Sequence, residues 1–170
     1  MCVGWRKTRS LGRDHTCSAR NARECVECEG IDVIISFGVP GRAAGKARPR
    51  VTRGGQQTYT PDPGGFVERT TAAGVEARNA SDWPGIVPTV GISMRVIVTR
   101  GMPESWSKRK RAELDGGWAP HKPDTGNIAL AVCDALSGVL YEDDRQVVEL
   151  YSSQRWGLEH STRIELEVLT

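Results

Sequence analysis

The sequence predicts an α/β fold of the α+β kind, in which a mixed β-sheet carries its helices mainly on one face. Two runs rich in β-branched and apolar residues, Ile31–Phe37 and Val90–Thr99, are typical of strands. A third strand is expected over Arg163–Leu169, where apolar residues alternate with charged ones. Helical patterns fall between these strands, so the expected order is β, hairpin, α, β, α, α, β, β.

The remaining elements are bounded by turn and cap residues. In chain order the sequence predicts a hairpin over Val51–Tyr59, a weak helix over Phe66–Ala80, a short basic helix ending near Leu114, a helix over Ile128–Ser137 and a strand over Val147–Ser152. Gly54-Gly55 supplies the hairpin turn. Ser105 or Ser107 can cap the basic helix. Asn127 can cap the helix that follows, and Gly138 ends it.

The composition describes a globular protein. A chain of 170 residues with 38% hydrophobic and 26% charged residues fits one domain with a substantial core. No apolar run approaches the roughly 20 residues that a membrane span needs. Residues 1–30 are polar and lack the apolar centre of a secretory signal, so we expect a cytoplasmic protein. We expect residues 1–30 to form a loosely ordered extension and residues 31–170 to form the folded domain.

The net charge of +2 conceals two basic clusters. No acidic residue occurs between Ser36 and Pro61. The basic residues that we expect to contact DNA phosphates are Lys46, Arg48, Arg50 and Arg53 in that stretch and Lys108, Arg109, Lys110 and Arg111 further along. A solvated surface is the alternative for either cluster alone. Two clusters that accompany an acidic segment favour phosphate binding.

The cysteines raise the question of a zinc site. Cys25 and Cys28 have the spacing of metal ligands, and His15 and Cys17 could complete a set of four. A second pair with this spacing is missing from the sequence, so reduced thiols are the preferred interpretation. A zinc-stabilised DNA-binding module stays as an alternative function. Cys133 lies in a helical pattern, where a small buried hydrophobe is expected.

The acidic residues of segment 122–149 suggest a metal-dependent site. Asp124 precedes a predicted helix, and Asp143 and Asp144 follow it immediately before a strand. Mg²⁺ takes one or two carboxylates together with waters and phosphate oxygens. Lys122 and a basic loop could hold a scissile phosphate. Equally, Asp124 could be a helix cap and the Asp143-Asp144 pair a solvent-facing turn, and spacing alone leaves both interpretations open.

Ordered motifs across residues 31–169 resemble the RusA-type Holliday-junction resolvases. The matching segments are Val-Pro-Gly-Arg to Arg-Pro-Arg at 39–50, Tyr-Thr-Pro at 59–61, Pro-Glu-Ser-Trp to Lys-Arg at 103–111, Lys-Pro-Asp at 122–124, Asp-Ala-Leu-Ser-Gly at 134–138 and Asp-Asp-Arg-Gln-Val-Val at 143–148. The resemblance implies a Mg²⁺-dependent endonuclease, with Mn²⁺ as a possible substitute, that cuts four-way DNA junctions in recombination and repair. It also implies a homodimer, since two symmetric cuts call for two sites related by a two-fold axis.

The resemblance assigns a role to each acidic residue. Asp124 and Asp144 take the places of catalytic, metal-binding aspartates, and Asp143 is the companion of Asp144. Asn127 and Lys122 are supporting residues. The family's second aspartate falls on Gly126 and its catalytic lysine on Leu130. Glycine cannot bind a metal through a side chain, and leucine cannot neutralise the charge of a phosphate or a leaving oxygen.

Two hypotheses follow from these departures. In the first, the protein is an active resolvase in which a basic side chain such as Lys122 or Lys46 replaces the missing lysine. In the second, it binds branched DNA without cutting it. Asp134 shares the helix face of Asn127 and Leu130, and we expect it to have a structural role. Packing is the expected role of Trp106 and Trp118, with stacking on bases as the alternative.

Overall fold

The computed structural model describes residues 33–47, 50–51, 58–59, 61–87 and 90–169. Several predictions fall outside these residues. They concern the extension over residues 1–30, the zinc set His15, Cys17, Cys25 and Cys28, the hairpin turn at Gly54-Gly55, and the basic side chains of Arg48 and Arg53. Arg50 is described only as part of a strand.

The described residues form six strands and three α-helices. The strands are β1 (Ile34–Pro40), β2 (Arg50–Val51), β3 (Thr58–Tyr59), β4 (Gly91–Gly101), β5 (Val147–Gly157) and β6 (Ser161–Leu169). The helices are α1 (Phe66–Asn79), α2 (Lys108–Leu114) and α3 (Thr125–Leu136). Short 3₁₀ turns at Pro63–Gly65 and Asp144–Gln146 precede α1 and β5. The predicted order of elements is confirmed.

Four strands form a mixed sheet in the order β1-β6-β4-β5. β4 and β5 are parallel, whereas β6 pairs antiparallel with both β1 and β4. A parallel pair needs a crossover connection, and α2 and α3 lie in the connection between β4 and β5. β2 and β3 form a separate antiparallel pair, which agrees with the predicted hairpin.

The core lies on one face of this sheet. Every second residue of β4 from Ile92 to Val98 is at most 1% exposed, and so are Ile164 and Leu166 of β6. These side chains share one hydrophobic cluster with Ile128, Val132 and Leu136 of α3 and with Phe66 of α1. The opposite face carries ion pairs, such as Arg163 with Glu165 at 2.9 Å. The predicted α+β arrangement, with helices mainly on one face, is confirmed.

Element bounds differ from the prediction where tertiary contacts extend a strand or where another cap residue acts. β1 reaches Pro40 because its pairing with β6 continues to Ser161. A proline is acceptable there because β1 is an edge strand. β5 continues to Gly157, in register with the end of β4. In the part of the chain that the structure describes, no helix is long and apolar enough to cross a membrane.

Candidate active site

Asp124 caps the N-terminus of α3. Its Oδ1 accepts a hydrogen bond from the backbone N–H of Asn127 at 2.8 Å, and its Oδ2 accepts one from Asn127 Nδ2 at 3.2 Å. The expectation that Asn127 is the cap was wrong, because Asp124, three residues earlier, is the cap and accepts from the N–H of Asn127 itself. Asp124 is exposed, and each carboxylate oxygen keeps a lone pair for another ligand.

A basic loop, residues 41–47, lies directly against this turn. The backbone N–H of Lys46 donates to the carbonyl oxygen of Asn127 at 3.0 Å. A Cβ placed on Gly45 would lie 3.0 Å from the Cβ atoms of both Pro123 and Asn127. Glycine at position 45 therefore permits the close approach of the two segments. The consequence is that a basic segment about 80 residues earlier in the chain is fixed beside Asp124.

Lys46 also forms an ion pair with α3. Its Nζ lies 2.8 Å from Asp134 Oδ2, and both side chains are partly exposed. The hydrogen bond and the charge of Asp134 raise the pKa of the Lys46 ammonium, and the charge of Asp144 adds to the effect. Asp134 lies one helical turn after Leu130, so the ammonium of Lys46 is held near the helix face that carries Leu130. The structural role expected of Asp134 is that of a positioning partner for Lys46.

Asp143 and Asp144 occupy the turn before β5. Asp143 caps this turn, and its carboxylate accepts from the Nε and Nη2 of Arg145 at 2.8 and 3.1 Å. Hydrogen bonds from Arg145 lower the pKa of Asp143 to about 2. Asp144 is exposed, and its charge helps to raise the pKa of both Lys46 and Cys133. Asp144 therefore lies in the electrostatic neighbourhood of Lys46, while Asp143 is held by Arg145.

Gly126 and Leu130 supply no polar side chain at two positions of the candidate site. A Cβ at Gly126 would have open space around it, and its nearest neighbour within 4 Å would be Asp124 Oδ1 at 3.7 Å. Leu130 is 48% exposed and offers no polar group. Among the described residues, no group of three or more His, Cys, Asp or Glu side chains is arranged to hold a metal ion. The described carboxylates therefore do not form a metal site with three carboxylate ligands.

Two buried polar residues, Gln154 and Arg100, donate hydrogen bonds to the residues next to Asp124. Gln154 of β5 donates from Nε2 to the carbonyl oxygen of Pro123 at 2.9 Å and to Thr125 Oγ1 at 3.1 Å. Arg100 of β4 donates to the same Pro123 carbonyl at 3.3 Å. Lys122 itself is exposed. Neither Arg100 nor Gln154 was predicted from the sequence, although a charged residue at a core-facing position of β4 is a signal for Arg100.

The second basic cluster forms α2, which Ser107 caps through the N–H of Lys110. Lys110 Nζ lies 4.1 Å from the ring centroid of Trp106, and Trp106 packs edge-to-face on Trp156. Trp118 is 64% exposed beneath the guanidinium of Arg155. The packing role expected of Trp106 is confirmed, whereas Trp118 lies at the surface.

Cys133 is buried, as its sequence context predicts. It is 4% exposed, and its Sγ lies 3.8 Å from Met94 Sδ. Burial, followed by the charges of Asp144 and Asp134, raises the pKa of its thiol to about 11. A thiol in this state is a packing group rather than a nucleophile or a metal ligand.

Comparison with known proteins finds related sequences over most of the chain. A model of the family Endodeoxyribonuclease RusA matches residues 40–168, which include α1, α2, α3, β4 and β5. YqaN, an uncharacterized protein of Bacillus subtilis strain 168, is 31% identical over 141 residues, which cover 79% of this chain and 94% of that protein. RusA proteins are nucleases of the Holliday-junction resolvase type and generally depend on a divalent metal. The chain belongs to the RusA endodeoxyribonuclease family.

Proposed function

We propose that this protein resolves four-way DNA junctions in recombination and repair by metal-dependent hydrolysis of phosphodiester bonds. The observation that carries the proposal is the docking of the basic loop on the turn that presents Asp124. A carboxylate that can bind a cation and a basic segment that can bind a phosphate are thereby fixed side by side. We expect the protein to contact mainly the phosphate backbone of the DNA, and we expect its affinity for DNA to fall as the salt concentration rises.

We propose that Asp124 and Asp144 hold Mg²⁺, or Mn²⁺, as two of its few protein ligands. Asp124 and Asp144 are exposed carboxylates, and Mg²⁺ commonly uses one or two carboxylates with waters and substrate oxygens. When bound, such an ion supplies charge stabilisation for the oxygens of the phosphate under attack. Asp143 supports Asp144 by fixing the turn through Arg145, and Asn127 orients the carboxylate of Asp124.

Lys46 is the residue that we propose for the work of the missing lysine. Asp134 fixes its ammonium one helical turn from Leu130, where the family's lysine would begin. Because both side chains are on the surface, the ammonium can meet a phosphate without being pulled out of a buried environment. Lys122 is exposed beside Asp124 and supports phosphate binding. Arg48, Arg50, Arg53 and the α2 residues Lys108, Arg109, Lys110 and Arg111 are proposed to track the DNA backbone.

We also propose a cytoplasmic homodimer whose resolvase domain spans residues 31–170, with residues 1–30 as an extension. The exposed apolar side chains of β5 support an interface between two copies. Val148 and Leu150 are 63% and 46% exposed on this edge strand of the sheet, and Tyr151, on the face opposite to that of Leu150, is 51% exposed. Exposed apolar side chains along an edge strand are more typical of an interaction surface than of a solvated edge.

A second candidate function is junction binding without cleavage. Gly126 and Leu130 favour it, because one carboxylate and one ammonium of the family's motif are absent. Loss of a charge-stabilising group commonly costs about 3–4 kcal/mol of barrier, which is roughly 10²–10³ in rate. The two functions differ in one measurable property, namely whether bound junctions are cut.

The test compares binding and cleavage of a labelled synthetic four-way junction by the full chain in Mg²⁺ and in Mn²⁺. We expect cleavage by the native protein, and loss of cleavage with retained binding in Asp144→Asn. Glu76→Gln removes an exposed carboxylate from α1, which carries none of the proposed DNA-binding residues, and should cut like the native protein. Tight binding without cleavage in either metal would select the second function.

A further inference from the structure

A basic cavity lies next to the segment that presents Asp124. Its volume is about 460 Å³. The titratable groups that line it are Arg42, Arg100, Arg111, His121, His160 and Glu104. Three arginines against one carboxylate give the cavity a positive balance, with two imidazoles available as further donors. Of these lining residues, Arg111 was expected from the sequence to contact DNA phosphates, whereas the cavity itself was not predicted.

Arg100 forms the floor of this cavity and lacks a full set of partners. It is 2% exposed, its Nε donates to Gln154 Oε1 at 2.8 Å, and its Nη2 donates to the carbonyl oxygen of Pro123. Its Nη1 is buried and has no hydrogen-bond partner among the described residues. Both partners that it has are neutral. A buried guanidinium without an anion is costly, so Arg100 favours the arrival of one.

His160 presents a donor to the same cavity. Its Nδ1 accepts a hydrogen bond from the backbone N–H of Gly101 at 3.1 Å, so the proton of the neutral ring is on Nε2. A Cβ on Gly101 would lie 3.1 Å from the ring, so glycine permits this close contact. Burial, and then the charges of Arg42, Arg100 and His121, lowers the pKa of His160. The His160 ring therefore lies among mainly positive charges, and these charges favour the binding of an anion.

We infer that this cavity binds a phosphate group, and that the group is a backbone phosphodiester of the DNA next to the one that is cut. Guanidinium forks match the oxygens of a phosphate, and the cavity gathers three of them. The position of the cavity beside Asp124 favours a DNA phosphate over a free anion as its ligand. Arg100 holds the carbonyl of the residue directly before Asp124, and Arg111 continues the basic surface of α2 into the cavity.

The consequence is a positioning role that deepens the proposed nuclease function and rests on it. A strand held by a phosphate in this cavity would have its register fixed relative to Asp124, because both are attached to the same segment. Arg42, Arg100 and Arg111 are therefore phosphate-binding residues that position the strand. They are not catalytic residues.

The first experiment tests the chemistry of the cavity with inorganic phosphate alone. Phosphate is titrated into the native protein at constant ionic strength while the imidazole NMR signals of His160 are followed. We expect saturable shifts, and roughly tenfold weaker binding in the double variant Arg42→Gln/Arg111→Gln, whose side chains are on the rim of the cavity. Arg163→Gln removes a charge from the open face of the sheet and should bind phosphate like the native protein. Absence of saturable shifts in the native protein would overturn the inference.

The second experiment identifies the source of the phosphate. Junction affinity is measured across a salt series for the same variants. The double variant should bind the junction about tenfold more weakly than Arg163→Gln, and its salt slope should fall by about one phosphate contact. Equal affinities in the two variants would overturn the DNA assignment. Because the measurement is of binding, a protein that binds but does not cut still tests the cavity, and failure of native junction binding would instead count against the proposed function.

Discussion

At the residue scale, Gly126 is a position where a carboxylate could be added to the candidate site. It lies in the first turn of α3, and a side chain there would face empty space beside Asp124 Oδ1. A second carboxylate could therefore be placed next to Asp124 without moving any backbone. The two carboxylates would both contribute to the cation binding that we propose for Asp124.

Gly126→Asp is expected to strengthen metal binding and to raise the rate of junction cleavage at limiting Mg²⁺ by at least about tenfold, equivalent to about 1.4 kcal/mol. The cleavage rate is measured as a function of Mg²⁺ concentration. Gly126→Asn is the matched control, since it has nearly the same shape without the charge. Equal metal dependence for the two variants would contradict the proposed place of the second carboxylate.

His160 is expected to make the stability of the protein sensitive to mild acid. Its pKa is lowered from 6.5 in the folded state, so the unfolded chain binds more protons there. Stability from this group is complete above pH 6.5 and is lost as the pH falls through that value toward the folded pKa. Protonation of Nδ1 would also break the hydrogen bond from Gly101. Asp143 acts in a lower window, since its pKa falls from 3.8 to about 2.

The native protein is expected to lose unfolding free energy between pH 7 and pH 5, as measured by urea denaturation, and His160→Gln should lose less over the same interval. Arg163→Gln, on the open face of the sheet, serves as the control and should follow the native protein over this interval. An identical pH dependence of native protein and His160→Gln would show that His160 does not carry the effect.

At the scale of elements, the contact between α1 and α3 depends on Gly74. Glycine lowers helix propensity, and the sequence therefore predicts only a weak helix here. The structure explains its presence, because a Cβ at this position would lie 2.7 Å from Leu136 Cδ2. Leu136 is fully buried and has little room to move. The helices can approach each other because position 74 has no side chain.

Gly74→Ala is expected to lower the unfolding free energy by roughly 1 kcal/mol, since overpacking of about 1–3 kcal/mol outweighs a helix-propensity gain of about 1 kcal/mol. The matched substitution is Gly126→Ala in α3, where the space is open and a gain of about 0.5–1 kcal/mol is expected. Urea denaturation of both variants provides the measurement. Stabilisation by both substitutions would contradict the packing role of Gly74.

The predictability of elements from sequence differed between strands and helix ends. β4 was predictable from its run of β-branched and apolar residues, and β6 from the alternation of apolar and charged residues. The start of α3 was not, since both Asp124 and Asn127 are good cap residues and only the geometry of the turn selects between them. The extension of β5 to Gly157 depends on pairing with β4, which local sequence does not encode.

At the scale of the whole molecule, the site is assembled from segments that are distant in sequence. The acidic segment was recognisable because Asp124, Asp143 and Asp144 lie within one short stretch. The Lys46–Asp134 pair was not, because 88 residues separate its partners and nothing local links them. The same applies to Arg100, whose partners Pro123 and Gln154 come from other elements.

Lys46→Met is expected to reduce the rate of junction cleavage by about 10²-fold at saturating protein, because it removes the ammonium proposed to stabilise developing charge. Its effect on unfolding free energy should stay below about 1 kcal/mol, as expected for an exposed ion pair. Asp134→Asn keeps the ammonium but loosens its position, and should reduce the rate less. A cleavage rate unchanged by Lys46→Met would remove Lys46 from the proposed mechanism.

The central claim is that this member of the RusA family cuts branched DNA with the carboxylate that caps α3. The most direct measurement is single-turnover cleavage of a strand-labelled four-way junction and of a linear duplex of the same sequence, by the native protein and by Asp124→Asn in Mg²⁺. We predict paired nicks on opposite strands of the junction, little cutting of the duplex, and no cutting by Asp124→Asn despite retained junction binding. Equal cleavage by the native protein and Asp124→Asn would contradict the claim.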